Sequence, residues 1–243
     1  MSQRTALTLS RHSNNDLARA SGRSFLFGSP TIEQSFGENE IIFDEGEGID
    51  FIYKVTRGMV RVYKTFSDGR RKIEAFCMPD DVFGIDLGGR RQSCAQAICR
   101  ASVMLAHGNL IMAPQPCGVA RELFSVVDDE VRRIQRHVLL LAMTSTQRVT
   151  HFLLEMLRRQ QTDIIKLPMT RQDIGDYLGL TIETVSRCMT KLKIHGLIET
   201  RHMSEIVVLR DVAALLRVCD GDREYESSAK EVRPIRANAR DGS

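Results

Sequence analysis

The sequence predicts an α+β chain: a β-rich antiparallel N-terminal half, one long helix, and a small C-terminal helical unit that carries a hairpin. Three observations predict it. Apolar residues repeat with a period of two from about residue 36 to 110. The spacing changes to three-four from about 121. From 169 onward two short helical stretches flank a glycine-containing turn.

Taken in order, residues 1–30 are polar, and "FLFGSP" is their first apolar cluster, so a flexible arm is expected. The opening "MSQRTALTLSRHSNND" has no apolar core of the kind a secretory signal needs. The longest apolar run, "VLLLAM" at 138–143, is too short to span a bilayer. A cytoplasmic protein without membrane attachment is expected, with its six cysteines (77, 94, 99, 117, 188 and 219) as reduced thiols. Hydrophobic content of 42% and charged content of 27% fit a soluble globular chain, and 243 residues suffice for two domains.

Within 31–120, "FIYKV", "MVRVYKTF" and "KIEAFC" read as short strands. Ser67-Asp68-Gly69 is a hairpin signal between two of them. Together they predict an antiparallel β-roll. Residues 121–160 read as one helix. Val131, Ile134, Val138, Leu141 and Ser145 follow the three-four spacing, and Val149, Phe152, Leu153 and Met156 extend an apolar face. Over 30 helical residues reach about 45 Å, well beyond one small core. The helix's seam argues for a partner helix, most simply from a second copy of the chain, the alternative being a helix packed wholly on its own β-roll.

Residues 161–219 hold the most specific pattern. In "MTRQDIGDYLGL" Thr170 is an N-cap candidate, with Asp173 three residues on as an imperfect capping box. Gly179 and Leu180 leave a tight turn before "TIETVSRCMTKLKIHG". There Thr181 can cap the start and Gly196 can stop the helix. Val185, Cys188, Met189 and Leu192 form one apolar stripe. Ile182, Glu183 and Ser186 fall away from it and Arg187 lies at its margin. A short helix, a tight turn and a longer helix fit either an ordinary helical hairpin in a core or a helix-turn-helix, and in a helix-turn-helix the second helix enters the major groove of double-stranded DNA. Glu183 can accept from a cytosine amino group, and Arg187 can donate two bonds to guanine. "LIETRHMSEIVVLR" then reads as a small hairpin, a wing with Arg201 and His202 at its base. By position Thr170, Arg171, Thr181, Thr184 and Arg201 are expected at phosphates. Net charge is only +3, but 166–217 is mildly basic, with eight Lys/Arg against six Asp/Glu. Residues 220–243 carry few apolar groups and are expected to be disordered.

The stretch "TRQDIGDYLGLTIETVSRCMTKLKIHGLI" resembles the winged helix-turn-helix of the cyclic-AMP receptor protein and FNR superfamily. "GENEIIFDEGEGIDFIYKVTRGMVRVYKTFSDGRRKIEAFCMPDDVFG" resembles that superfamily's β-roll, including the Pro79-Asp80-Asp81 turn. Glu183, Ser186 and Arg187 reproduce the E-x-x-S-R reader of the FNR and FixK branch. The cyclic-AMP receptor has Gly where this chain has Ser186, and Arg where it has Ile182. The resemblance implies a homodimeric, sequence-specific transcription regulator, an activator that contacts RNA polymerase. It also implies a palindrome of TTGAT and ATCAA half-sites four base pairs apart, with Arg187 on the guanine and Ile182 and Ser186 facing thymines.

The resemblance raises three effectors. Cyclic nucleotides use a Gly-Glu pair and an Arg-Ser/Thr pair. Here Gly84 precedes Ile85, and Ser93 and Cys94 align with the second pair, although a shifted alignment recruits Arg90 or Arg91. An FNR-type iron–sulfur cluster needs about four convenient thiolates. This chain has no cysteine before Cys77 and no C-x-x-C. For haem, His12, His107, His137, His151, His195 and His202 are scattered. The expectation is therefore a FixK-like regulator without cofactor or metal. The alternatives are an effector-gated relative binding haem or a small ligand in the β-roll, and a ligand-sensing interaction module with a vestigial DNA domain. No phosphate loop, nucleophile elbow or metal-binding helix suggests an enzyme. Cys188 beside Arg187 is either a redox-sensitive thiol or a packed core residue.

Overall fold

The computed structural model describes residues 26–27, 32–86, 88–108, 117–201 and 206–221. Most of the expected arm, most of the expected tail, and His12 and His202 lie outside the described residues. The chain divides into two compact units, 1–136 and 137–243.

Among the described residues of the first unit eight strands form two four-stranded antiparallel sheets. They are β1 (Ile32–Phe36), β2 (Ile41–Phe43), β3 (Phe51–Arg57), β4 (Val60–Thr65), β5 (Arg71–Cys77), β6 (Val82–Phe83), β7 (Cys94–Ala97) and β8 (Ala101–His107). One sheet runs β1-β8-β3-β6 and the other β2-β7-β4-β5. Their alternating residues share one core, which includes Phe36, Phe43, Val55, Val60, Ala75, Ala95, Ala97 and Val103. The expected hairpin at Ser67-Asp68-Gly69 joins β4 to β5. Phe66 N–H donates to the Arg70 carbonyl at 2.8 Å, and Gly69 supplies the left-handed φ of +83°. Leu26 and Phe27, expected in a loose arm, are instead buried with Ile52, Ala106 and Val119, where an apolar surface offered them a place to dock.

The single long helix of the sequence reading is two helices. α1 spans Cys117–Leu141 and α2 spans Ser145–Gln160. The break has a local cause. Thr144 is extended (φ −65°, ψ 160°), its hydroxyl accepts from Gln147 N–H, and the Gln147 side chain accepts from Thr144 N–H at 2.9 Å. This capping box starts a new helix. Ser145 therefore leaves the α1 seam and becomes the first residue of α2. Val149, Phe152, Leu153 and Met156 do not extend a partner seam, because all four are buried in the core of the second unit.

That unit adds β9 (Ile164–Lys166), α3 (Arg171–Leu178), α4 (Ile182–Ile194), β10 (Ile198–Arg201), β11 (Ile206–Leu209) and α5 (Val212–Cys219). The three strands form an antiparallel sheet in the order β10-β11-β9. Val185, Met189 and Leu192 of α4 are buried, each contributing about 1.5–3 kcal/mol. Their stripe fixes which side of α4 faces out.

Candidate nucleic-acid interface

The turn between α3 and α4 is set by short-range chemistry. Thr170 caps α3: its hydroxyl accepts from Asp173 N–H at 3.1 Å, and the Asp173 carboxylate accepts from Thr170 N–H at 3.0 Å. The aspartate thus completes the box that glutamate usually makes. Gly179 ends α3 in the left-handed region at φ +66°. Gly175, which the sequence reading passed over, lets the turn close. Leu180 N–H donates to the Gly175 carbonyl at 2.9 Å, and a Cβ on Gly175 would lie 2.6 Å from the Leu180 carbonyl oxygen.

α4 begins and ends as expected. Thr181 is extended (φ −77°, ψ 157°) and accepts from Thr184 N–H at 3.2 Å. At the other end Gly196 (φ +70°) donates to Lys193 O at 3.0 Å, and Leu197 donates to Leu192 O at 3.0 Å. These two bonds are a Schellman motif. Ile182, Glu183, Ser186 and Arg187 are all exposed, off the buried stripe. A large aliphatic side chain 39% exposed, as Ile182 is, has apolar surface to offer. Glu183 is held below the ordinary carboxylate range by its own main-chain N–H, by the Thr181 hydroxyl and by Arg187. It is therefore a ready acceptor. Arg187 touches Thr184 Oγ1 at 3.3 Å, one long bond that leaves most of its fork available.

The residues expected at phosphates lie at the starts of α3 and α4 and in the hairpin strand β10. Thr170 and Thr181 sit at the N-termini of α3 and α4, where unpaired N–H groups favour anions. Thr184 shares a 3.0 Å hydroxyl contact with Thr181. Arg171, first residue of α3, is half-buried with no partner among the described residues, and burial pushes its guanidinium down from its ordinary value. A partly desolvated cation of this kind is stabilised by an incoming anion. Arg201 is already engaged: it donates to Glu199 at 2.7 Å, and Arg210 binds the same carboxylate. Those two arginines push Glu199 down to about 2.

Cys188 is buried, with its thiol 3.8 Å from the Thr146 hydroxyl. On α1, Val131, Ile134, Val138 and Leu141 are exposed, and so are Phe124 and Val127 at the same three-four spacing. The exposed seam therefore starts at Phe124, two positions of the pattern before Val131. Phe124 is 76% exposed.

Comparison with known proteins matches both halves. Residues 147–218 match the family model for the Crp-like helix-turn-helix domain, and residues 33–107 that for the cyclic nucleotide-binding domain. The chain is 38% identical over 200 residues to the nitrogen fixation regulation protein FixK of Azorhizobium caulinodans, covering 79% of each. It is 35% identical over 193 residues to FixK of Rhizobium meliloti, covering 79% of this chain and 89% of the relative. The structure of FixK2 from Bradyrhizobium japonicum superposes with a TM-score of 0.73 at 41% identity, covering 77% of this chain and 96% of that one. The chain belongs to the FixK-like branch of the cyclic-AMP receptor protein and FNR superfamily. It is a DNA-binding transcription regulator of the FNR and FixK type.

The superfamily's β-roll model implies a cyclic nucleotide, and this FixK-like roll does not fit one. Arg91 is 2% exposed, and its guanidinium is committed inward. It donates to the Gly84 carbonyl at 2.5 Å and to the Phe51 carbonyl, stacks over the Phe43 ring at 4.1 Å, and lies 3.7 Å from Asp86. Arg90 is exposed and donates through Nη1 to the Gly46 carbonyl at 2.7 Å. The hydroxyl of Ser93 donates to Glu74 at 2.6 Å, an anion where a phosphate would need cations. Ile85 offers no carboxylate to a ribose. Among the described residues no cluster of three His, Cys, Asp or Glu could hold a metal ion, and no helix is long and apolar enough to cross a membrane.

Proposed function

We propose that this FixK-like protein acts as a homodimer that reads a TTGAT-N4-ATCAA-type palindrome and activates transcription through contact with RNA polymerase, without a cyclic nucleotide, cluster or haem as its switch. The observation that carries the reading is the exposed quartet Ile182, Glu183, Ser186 and Arg187 on the first two turns of α4. Arg187 takes the guanine of each half-site, Glu183 accepts from the cytosine opposite or a neighbouring adenine, and Ile182 and Ser186 face thymines. Thr170, Arg171, Thr181, Thr184 and Arg201 hold the backbone. The exposed three-four seam of α1 supports pairing between two copies. Two recognition helices about one DNA turn apart then match a palindrome.

The committed Arg91 supports independence from cyclic nucleotides, because a phosphate would have to break two carbonyl bonds to recruit it. With no ligand to shift an equilibrium, the DNA-competent state must already be populated. Control then falls on the amount of protein made, or on oxidation of a thiol such as Cys188 after local opening. The test is DNA binding by protein purified in air. A colourless protein that binds the palindrome without additive is expected. An iron or haem absorption band, or at least a tenfold gain in affinity with cyclic AMP (about 1.4 kcal/mol), contradicts the reading.

A further inference from the structure

We infer that Arg148 is a positioning residue that clamps the recognition unit to the end of α1 and so sets the half-site spacing the protein accepts; the spacing part rests on the palindrome reading above. Arg148 lies in the first turn of α2, and its three nitrogens each go to a different main-chain carbonyl. Nη2 donates to Leu141 O at 2.9 Å, Nε to Met143 O at 3.1 Å and Nη1 to Leu178 O at 3.1 Å. Leu141 is the last residue of α1 and Leu178 the last of α3. The final carbonyls of a helix have no partner within it and carry the negative end of its dipole. One guanidinium therefore neutralises the ends of two helices and the turn between α1 and α2. A Cβ built on Gly179 would come within 3.8 Å of Nη1, so the cation sits directly against the residue that opens the helix-turn-helix turn. From Leu178 only two residues separate the clamp from Thr181, the cap of α4.

The chemistry explains why the residue is arginine. A planar fork of fixed donors can hold three carbonyls in one geometry, whereas a lysine ammonium acts as a point charge and can satisfy fewer of them at once. The bonds fix the direction in which α3, and with it α4, leaves the last turn of α1. If α1 pairs with a second copy, that direction sets the separation of the two reading helices. None of its three bonds goes to a base-reading residue, so it governs spacing and not base choice.

The test uses full-length Arg148→Met, which keeps the aliphatic stem, and Arg148→Lys. Binding is measured to palindromes with spacers of three, four and five base pairs, and amide hydrogen exchange is followed in the free protein. Arg148→Met is expected to lose at least tenfold in affinity for the four-base-pair spacer. Its preference for that spacer over the other two should shrink at least threefold, with the preference for guanine in each half-site unchanged and Arg148→Lys falling between. A merely destabilised protein would lose active fraction on all three DNAs alike and keep the ratio. In the free protein the Ala142 and Met143 amides, which close the turn after α1 onto Leu139 and Leu140, should exchange at least tenfold faster, with Val185 and Leu192 unchanged. Unchanged exchange at Ala142 and Met143 refutes the clamp whatever the DNA shows. Faster exchange with an unaltered spacing ratio refutes the positioning role. A wild-type protein without spacing preference refutes the palindrome reading instead, and the exchange result then decides the clamp.

Discussion

Adding one methyl group at Gly175 tests how tightly the recognition helix is held. In Gly175→Ala the new Cβ would lie 2.6 Å from the Leu180 carbonyl oxygen, with the Leu180 and Thr181 carbonyl carbons at 3.5 and 3.6 Å. All three are main-chain atoms, so no side chain can swing away. Relief needs a shift of about 0.8 Å, and forced overpacking of this kind costs about 1–3 kcal/mol. The shift also strains the 2.9 Å bond from Leu180 N–H to Gly175 O, a contribution of about 1 kcal/mol. Against this, alanine gains about 1 kcal/mol over glycine in a helix. The net loss is about 1–3 kcal/mol, which lowers the melting temperature of a unit this size by roughly 5–15 °C. Because the moved atoms lead straight into Thr181 and α4, affinity for the palindrome should fall at least tenfold in the protein that stays folded. Calorimetry and fluorescence anisotropy read the two effects. Gly179→Ala is the control: its φ of +66° makes it costly, but no atom lies within ordinary contact distance except the Arg148 guanidinium at 3.8 Å. A Gly175→Ala protein that melts at or above wild type and binds DNA unchanged refutes the close-turn account.

Ile134→Glu places a charge on the α1 seam, where Ile134 is 54% exposed in one chain. If two copies pair through this seam, sedimentation should show dimers for wild type and monomers for Ile134→Glu at the same concentration, and palindrome affinity should drop at least a hundredfold, about 2.7 kcal/mol. Arg171→Ala should weaken all DNA sequences alike and reduce the slope of log affinity against log salt by roughly one; altered base preference with an unchanged slope contradicts the phosphate assignment. Glu199 has its carboxyl lowered from the ordinary 4.5 to about 2 by Arg201 and Arg210. A lowered carboxyl stabilises the fold fully above 4.5 and loses that contribution as pH falls from 4.5 toward 2, so the wing pairing should survive to about pH 2 in an NMR titration of the Glu199 carboxyl. Glu199→Gln frees both arginines and should steepen the salt dependence of DNA binding by up to about one unit; an unchanged slope would show that Arg201 does not reach phosphate.

The helix-turn-helix was legible because each of its parts carries a local signal. Thr170 with Asp173, Thr181, and Gly196 followed by Leu197 specify helix ends within a few residues, and the stripe through Val185, Met189 and Leu192 specifies the buried side. The long helix was misread because apolar periodicity continues through Ala142 and Met143, and that signal outweighed the weaker Thr144–Gln147 cap. Once the helix breaks there, Ser145 moves off the seam, while Phe124 and Val127 extend it at its other end. Gly175 and Arg91 were illegible for a different reason. A helical glycine reveals its role only when the Leu180 carbonyl is placed beside it. An arginine in a β-roll is expected at the surface unless the Gly84 and Phe51 carbonyls and the Phe43 ring are known to surround it.

The central claim is that Arg187 reads the guanine of each half-site from an exposed position on α4. The most direct measurement is a cycle of four affinities: wild type and Arg187→Ala, each on the palindrome and on a palindrome with both guanines replaced. The account predicts that the guanine change weakens wild type by about 1–3 kcal/mol per half-site and leaves Arg187→Ala nearly indifferent, so that the two perturbations are strongly non-additive. Equal losses in both proteins, with no coupling between Arg187 and the guanine, would contradict it.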